Sequence, residues 1–365
     1  MKAHIKSKAV ISFIITVCIL CRGFMPVFAK SPANSGAKDS DTYVVVCGIP
    51  VGIRLRSHGV IITGFMGFTT ENNEYISPAK EAGLREGDRI VGINGHSVEG
   101  IDDMQGAIDS CSDTKIIVVA ENSQGKFAKE VKLYRDVETN ELRLGIWGRD
   151  SVSGIGTLTF YNEKTKTYGA LGHAISDGGQ PYCISGGSLK KAEITGIKKG
   201  VAGSPGELRG YLRDNEPEAG DVDVNCDRGI FGHIENIDFV GNPKDFCRLA
   251  VAGNREIHKG SAYILSSAVD GKITKYSIDI TQVNRENESD TKNFNIKVTD
   301  KRLLDATGGI VQGMSGSPVV QGGKLVGAVT HVLINNPALG YGIFIENMLE
   351  TVNTVAEEQQ MKEAS

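Results

Sequence analysis

Residues 308–320 read GGIVQGMSGSPVV. The centre, Gly313-Met314-Ser315-Gly316-Ser317-Pro318, sets a small hydroxyl between two glycines just ahead of a β-branched pair. Glycine at 313 and 316 lets the backbone turn tightly or left-handed and lets a substrate carbonyl come close. Such a loop can aim the N–H groups of Gly313 and Ser315 at one spot, where they would stabilise the oxyanion of a tetrahedral intermediate. Ser315 is then a candidate nucleophile, provided an imidazole takes its proton. The same residues also suit a plain Gly/Ser turn between two strands, so the reading turns on finding the imidazole.

The chain has seven histidines. His4 lies in the leader, His58 and His96 fall on turns, His233 sits in a strand-like run and His258 in a charged turn. His331 follows Thr330 on the strand after Ser315, and the two residues can line a specificity pocket. His173 lies in the run YGALGHAI (168–175) between a glycine and an apolar pair, which is where a hairpin can hold a general base. A histidine early and Gly-x-Ser-Gly late is the chain order of chymotrypsin-like proteases. The G-x-S-x-G elbow of α/β-hydrolases fits less well, because Ser317 occupies its last glycine position. A metalloprotease is disfavoured: no HExxH occurs, and His233-Ile234-Glu235 lacks a second histidine four positions on. No motif calls for a metal or a cofactor.

Composition sets the outer limits. The 365 residues suffice for two or three domains. A net charge of −4 points away from nucleic acid. Forty-five glycines with 6% aromatics favour short strands and many turns. Lys2, Lys6 and Lys8 precede an apolar run at 9–20, AVISFIITVCIL, with a small-residue site at Val27-Phe28-Ala29, so residues 1–30 read as a signal peptide or membrane anchor. Residues 31–42 form a polar linker. Outside the leader five cysteines remain at wide spacing, which indicates neither a disulfide framework nor a zinc site.

From Tyr43 the chain turns β-rich. Ser77-Pro78-Ala79-Lys80-Glu81-Ala82-Gly83 predicts a short helix with a serine cap, proline at the first position and a terminating glycine. Arg89 to Ile93 predicts a strand closed by the turn Asn94-Gly95, and residues 102–110 a helix with Met104, Ala107 and Ile108 on one face. The stretch SPAKEAGLREGDRIVGINGHSV resembles the PDZ family in order as well as composition. The resemblance implies an α/β peptide-binding domain over 43–135, with a groove that takes a peptide as an added strand. It places the carboxylate-holding N–H groups at Val51, Gly52 and Ile53. Pro50 departs from the family's loop, since proline has no N–H to offer.

Residues 135–143 are charged and read as a linker. After them come many short strands with glycine turns and one clear helix starting near Glu346. The fold class is therefore mainly β: a PDZ-like α/β module followed by a chymotrypsin-like double β-barrel at 144–350, then a charged tail at 351–365.

The pair GALGHAISD and GGIVQGMSGSPVVQ, behind an export signal and a PDZ-like module, is similar to the stage IV sporulation protein B family. Its members are serine endopeptidases of endospore-forming bacteria. The resemblance implies Ser315 as nucleophile, His173 as base and a carboxylate at Asp300, which would hold the imidazole tautomer; Asp177, Asp221 and Asp223 are rivals for that role. It further implies export across the forespore membrane into the space between forespore and mother cell, with anchoring to the membrane before cleavage. Self-cleavage, with the enzyme's own N-terminal region as a partner, is implied as well. So is cleavage of a regulatory membrane protein of an intramembrane protease complex, leading to activation of a late sigma factor. The competing reading is a non-catalytic adaptor whose PDZ-like module binds a membrane partner.

Overall fold

Two long strands carry the architecture of the computed structural model, which describes residues 42–177, 180–212, 217–239, 241–286 and 291–363. The entry strand, Tyr43–Phe65, and the return strand, Ile146–Asn162, pair antiparallel from Val45↔Tyr161 out to Phe65↔Ile146. Register shifts at Val46/Ile49, Arg56/Ile61 and Ile62/Gly64 bend this ribbon along its length. Its near half belongs to the first lobe of the body, and its far half to an inserted module.

The module lies between the two strands in sequence. Its core is built from Val60, Ile62, Leu84, Ile90, Ile93, Met104, Ile108, Val118, Leu133 and Leu144. The short helix forms at Pro78–Glu81 with Ser77 before it and Gly83 at φ +84°, as the punctuation of that stretch requires. Asn94 (φ +50°) and Gly95 (φ +83°) make the two-residue hairpin turn. The longer helix Ile101–Asp109 buries Met104 and Ile108. Residues 135–143 are no linker: Tyr134–Arg135 pairs with Leu142–Arg143, and buried Asp136 meets Arg143 at 3.2 Å.

The expected domain start at 43 is corrected by the pairing of the entry strand. Val51, Gly52 and Ile53 are fully buried inside the first lobe, between the return strand (Gly156, Ile155, Gly154) and the strand Gly186–Lys198 (Lys191, Lys190, Leu189). A strand with a neighbour on each edge and cover on both faces is apolar almost throughout. That explains why CGIPVGIRL resembles a Gly-containing loop running into a strand. Its backbone groups serve the sheet and hold no peptide carboxylate.

The second lobe is a closed barrel in the order Gly260–Ser266, Thr274–Val283, Phe294–Val298, Asn336–Phe344, Lys324–Leu333, Pro318–Gln321. Ile264, Ile278, Ile280, Phe294, Ile296, Val319, Val329 and Phe344 fill it. The terminal helix Ile345–Glu363 buries Ile345, Met348, Val352 and Val355, one helical stripe. This stripe packs in one cluster with Phe160 and Phe231 of the first lobe and Leu325 and Ile343 of the second. The tail expected from 351 is thus structural through Val355.

Candidate active site

The nucleophile loop leaves a short helix that the sequence did not announce, Lys301–Thr307. Gly308 (φ +80°) ends this helix as a left-handed cap, its N–H donating to the Leu304 carbonyl. The loop then docks on the first lobe. Gln312 bonds both ways with the strand Glu207–Leu212: Leu208 N–H donates to its carbonyl (2.8 Å), and its own N–H donates to Gly206 (2.9 Å). Ser317 N–H donates to Met314 O, which closes the turn around Ser315. Among the described residues no acceptor meets the N–H of Gly313 or of Ser315. Two unpaired donors therefore flank the half-buried Ser315 hydroxyl.

The base loop leaves the strand Thr167–Ala170 through two consecutive left-handed residues, Leu171 (φ +64°) and Gly172 (φ +71°). A leucine at positive φ is costly and persists only where its surroundings hold it. Here Leu171 lies over Gly156, where any Cβ would fall 2.2 Å from its Cδ1. The outcome is that half-buried His173 is presented toward His331. Its Nδ1 lies 2.8 Å from the Ala174 carbonyl. A carbonyl only accepts, so Nδ1 carries the proton and Nε2 is left as the basic nitrogen. Asn225 fixes the next residues: Oδ1 accepts from Ile175 N, and Nδ2 donates to the carbonyls of Ile175 and Tyr182. Nothing in the sequence around Asn225 signalled this role, which only the fold creates.

The two loops meet at Thr330–His331. The Ser315 hydroxyl donates to Thr330 O at 2.7 Å. The Thr330 methyl lies 3.0 Å from where a Cβ on Gly172 would stand. The rings of His173 and His331 stand 4.9 Å apart, tilted by 34°. Gly316 completes the contact, since a Cβ there would sit 2.1 Å from Thr157 O and 2.5 Å from Leu171 N. Ser315 and His173, predicted from opposite ends of the chain, are thus brought to the same pair of residues, Thr330 and His331, with no hydrogen bond between them in this conformation.

Both imidazoles are neutral near pH 7. Burial lowers the pKa of His173, partly countered by the Ala174 carbonyl. Burial, then the charges of His173 and Lys292, push His331 down to about 4. His331 Nδ1 is buried and has no partner among the described residues.

The expected carboxylate is elsewhere. Asp300 is the N-cap of the helix Lys301–Thr307. One oxygen accepts from Arg302 N and Nε, the other from Ser277 N and Arg302 Nη2. Arg302 holds its pKa down at about 2. The structure does not bring it to His173, because both oxygens are taken up by capping and by the ion pair. Asp223 is bonded to His233 at 2.8 Å and Asp221 is exposed, while the side chain of Asp177 lies outside the described set. The orienting bond to Nδ1 comes instead from the Ala174 backbone.

In the inserted module, the return strand pairs with the entry strand over 146–149 and with no other described strand on its second edge. The helix Ile101–Asp109 packs beside it, and its first N–H donates to Asp150 Oδ2 at 3.0 Å. The run Leu144-Gly145-Ile146-Trp147 enters this edge, with Gly145 at φ +71°. Residues 144–147 carry the same pattern of a glycine loop running into a strand as residues 48–55, so local sequence does not tell the two apart.

The sequence profile of the SpoIVB peptidase S55 family matches residues 140–349. The chain belongs to this family. A PDZ-domain profile matches residues 76–122, inside the inserted module. Membership and geometry agree on a serine endopeptidase with a mainly β body, one lobe of which is a closed six-strand barrel, and a PDZ domain. Among solved structures, the chain is similar to the PDZ domain of an SdrC-like protein from Listeria monocytogenes (17% identity, 25% of this chain and 87% of that one, TM-score 0.20). It is also similar to the Rv3671c protease of M. tuberculosis in an inactive form (12%, 55% and 84%, 0.30). A third is the HtrA-type protease AlgW with a decapeptide (13%, 57% and 54%, 0.33). With scores this low, these neighbours carry no weight for the site. No curated protein matches the chain.

Proposed function

We propose that this peptidase is an exported enzyme of endospore formation that cuts itself and a regulatory membrane protein, leading to activation of a late sigma factor. Family membership and the apolar N-terminal run of the sequence support this reading. Export places the enzyme between forespore and mother-cell membranes, tethered until its N-terminal region is cut.

In the chemistry proposed, His173 Nε2 takes the proton of Ser315 as Oγ attacks the scissile carbonyl, and the N–H groups of Gly313 and Ser315 receive the oxyanion. The Ala174 carbonyl holds the tautomer and steadies the imidazolium. Thr330 and His331 wall the substrate pocket. Asp300 supports the site from behind, as the cap of the helix that delivers the nucleophile loop. The observation that carries this reading is the pair of unpaired N–H groups at Gly313 and Ser315, joined through Thr330 and His331 to a histidine of the correct tautomer. In the PDZ domain, the open edge at 146–149 beside the helix Ile101–Asp109 takes a peptide as an added strand.

A fluorophosphonate probe tests the catalytic reading. The full-length protein should form an adduct at Ser315, and the Ser315→Ala variant none. Absence of an adduct on the folded wild-type protein would instead favour an adaptor that binds a membrane partner without cleaving it.

A further inference from the structure

Thr157, on the return strand, touches both catalytic loops and belongs to neither. A strand residue sends its N–H and C=O to the same edge of the sheet. For Thr157 that edge carries the two loops in place of a neighbouring strand. Its N–H donates to Ser315 O at 2.9 Å, and its carbonyl accepts from Leu171 N at 3.2 Å. Its side chain adds a third bond: Oγ1–H donates to Gly313 O at 2.7 Å. Thr157 itself is 1% exposed, so its own polar groups are shielded from water.

The third bond falls between the two unpaired donors. Gly313 N–H is set from one side, through the Gln312 carbonyl held by Leu208. Ser315 is set from the other, through its own carbonyl on Thr157 N–H. The peptide joining Gly313 to Met314 lies between them. At φ +94°, Gly313 has no side chain to stop that peptide from turning. Met314 N–H donates to Val311 O at 3.0 Å and holds one end of that peptide; the Thr157 hydroxyl holds the other, its carbonyl, against the first lobe.

We infer that Thr157 is a positioning residue of this peptidase: its hydroxyl fixes the peptide between the two oxyanion donors, while its backbone locks the nucleophile loop to the base loop. The inference rests on the serine-peptidase reading. The hydroxyl acts on the rate of the acylation step and leaves the affinity for the reacting group unchanged.

The test uses the full chain and a fluorophosphonate, measuring maximal inactivation rate and half-saturating concentration separately, with near-UV circular dichroism as a check on folding. Thr157→Val keeps the shape and deletes the donor. Its maximal rate should fall about tenfold to a hundredfold, at or below the loss seen on removing one oxyanion donor outright, with half-saturation within about twofold. Thr157→Ser keeps the donor and should stay within about threefold of wild type. Thr159→Val deletes a neighbouring buried hydroxyl that bonds Gly316 O at 2.7 Å, and should cost less rate than Thr157→Val. If Thr157→Val does not fold, Thr157→Cys replaces it, and a rate between valine's expectation and wild type is required. The inference is overturned by a folded Thr157→Val, or Thr157→Cys in its place, that reacts at the wild-type rate. It is also overturned by Thr157→Ser falling as far as valine, or by a rate loss that only tracks the unfolded fraction. A wild-type protein that forms no Ser315 adduct would instead remove the peptidase reading beneath it.

Discussion

The Ser315 hydroxyl donates to the carbonyl of Thr330 at 2.7 Å, and the next residue, His331, lays its ring against His173. The proton of the proposed nucleophile is therefore held by an oxygen with no useful basicity, on the residue next to the one whose ring meets His173. Catalytic hydrogen bonds are often incomplete until substrate is bound. Removing this bond is cheap for the fold: a typical hydrogen bond contributes about 0.5–1.5 kcal/mol net. Ser315→Ala should thus shift thermal unfolding by only about 2–4 °C while eliminating the probe adduct. A much larger shift in calorimetry would mean that the hydroxyl is chiefly structural.

The pH dependence follows from two buried neutral histidines. The proposed base role needs His173 unprotonated, and burial holds its pKa below the ordinary 6.5. The acid limb of the probe-labelling rate should therefore have its midpoint below 6.5, with rate gained as pH rises. Stability runs in the same direction. The unfolded chain takes up a proton on His331 near 6.5, the folded chain only near 4, so unfolded protein binds more protons between those values. Stability is complete above about 6.5 and declines as pH falls towards 4. His331→Gln should flatten that decline in urea titrations at stepped pH; an unchanged slope would place the titration elsewhere.

Two glycines hold the loops in register. A side chain at Gly316 would collide with Thr157 O and Leu171 N, and φ there is +94°. One at Gly156 would displace Leu171 and with it the turn that presents His173. Gly316→Ala should cost about 1–3 kcal/mol in denaturant unfolding, the usual range for a strained backbone position, and Gly156→Val about 1–3 kcal/mol, the range for overpacking a filled site. Each should also slow Ser315 labelling in the fraction that remains folded. Normal labelling in folded Gly156→Val would show that Leu171 does not set the histidine.

The sequence carries the parts of this site that glycine marks. Ser315 and His173 are legible because a positive-φ turn leaves a local signature, and so are the Ser77-Pro78 helix start and the Asn94-Gly95 turn. What depends on distant pairing is not legible. Val51-Gly52-Ile53 has the pattern of a loop and strand, and only its pairing with Gly154–Gly156 and with 189–191 shows it to be interior sheet. Asp300 carries equal local weight as a catalytic carboxylate and as a cap, because a seven-residue helix has too few turns to show an apolar stripe. The PDZ insertion is hidden for a related reason: the strands that enter and leave it are one ribbon separated by the whole module.

Asp300 gives a test that separates its two roles. As a helix cap paired with Arg302, its loss in Asp300→Ala should cost about 0.5–2 kcal/mol, the range for deleting a capping side chain. Because its folded pKa is about 2, below the ordinary 3.8, its contribution is present above 3.8 and is lost as pH falls towards 2. Asparagine also caps helices well, so Asp300→Asn should be milder than alanine in both stability and labelling rate. A triad carboxylate behaves differently: its asparagine variant loses about 10⁴ in kcat with the geometry intact. A loss of that size in folded Asp300→Asn would require the carboxylate to leave Arg302 for His173 during turnover.

The chain's single tryptophan makes the peptide edge observable. Trp147 is 60% exposed and stands on the open edge of the return strand, next to the loop at Gly145. A peptide adding as a strand along 146–149 must cover part of that ring, so intrinsic fluorescence should change in intensity and wavelength on titration with C-terminal peptides. Gly145 is at φ +71°, with Met66 O 2.7 Å from where a Cβ would stand. Gly145→Val should weaken the fluorescence response at least tenfold in apparent affinity, about 1.4 kcal/mol. Gly52→Ala should instead lower stability, since its Cβ would meet Leu212 at 1.8 Å inside the first lobe, and should leave peptide affinity within about twofold. Reversal of those two outcomes would return the peptide site to Val51–Ile53 and make the pairing of the entry strand irrelevant to recognition.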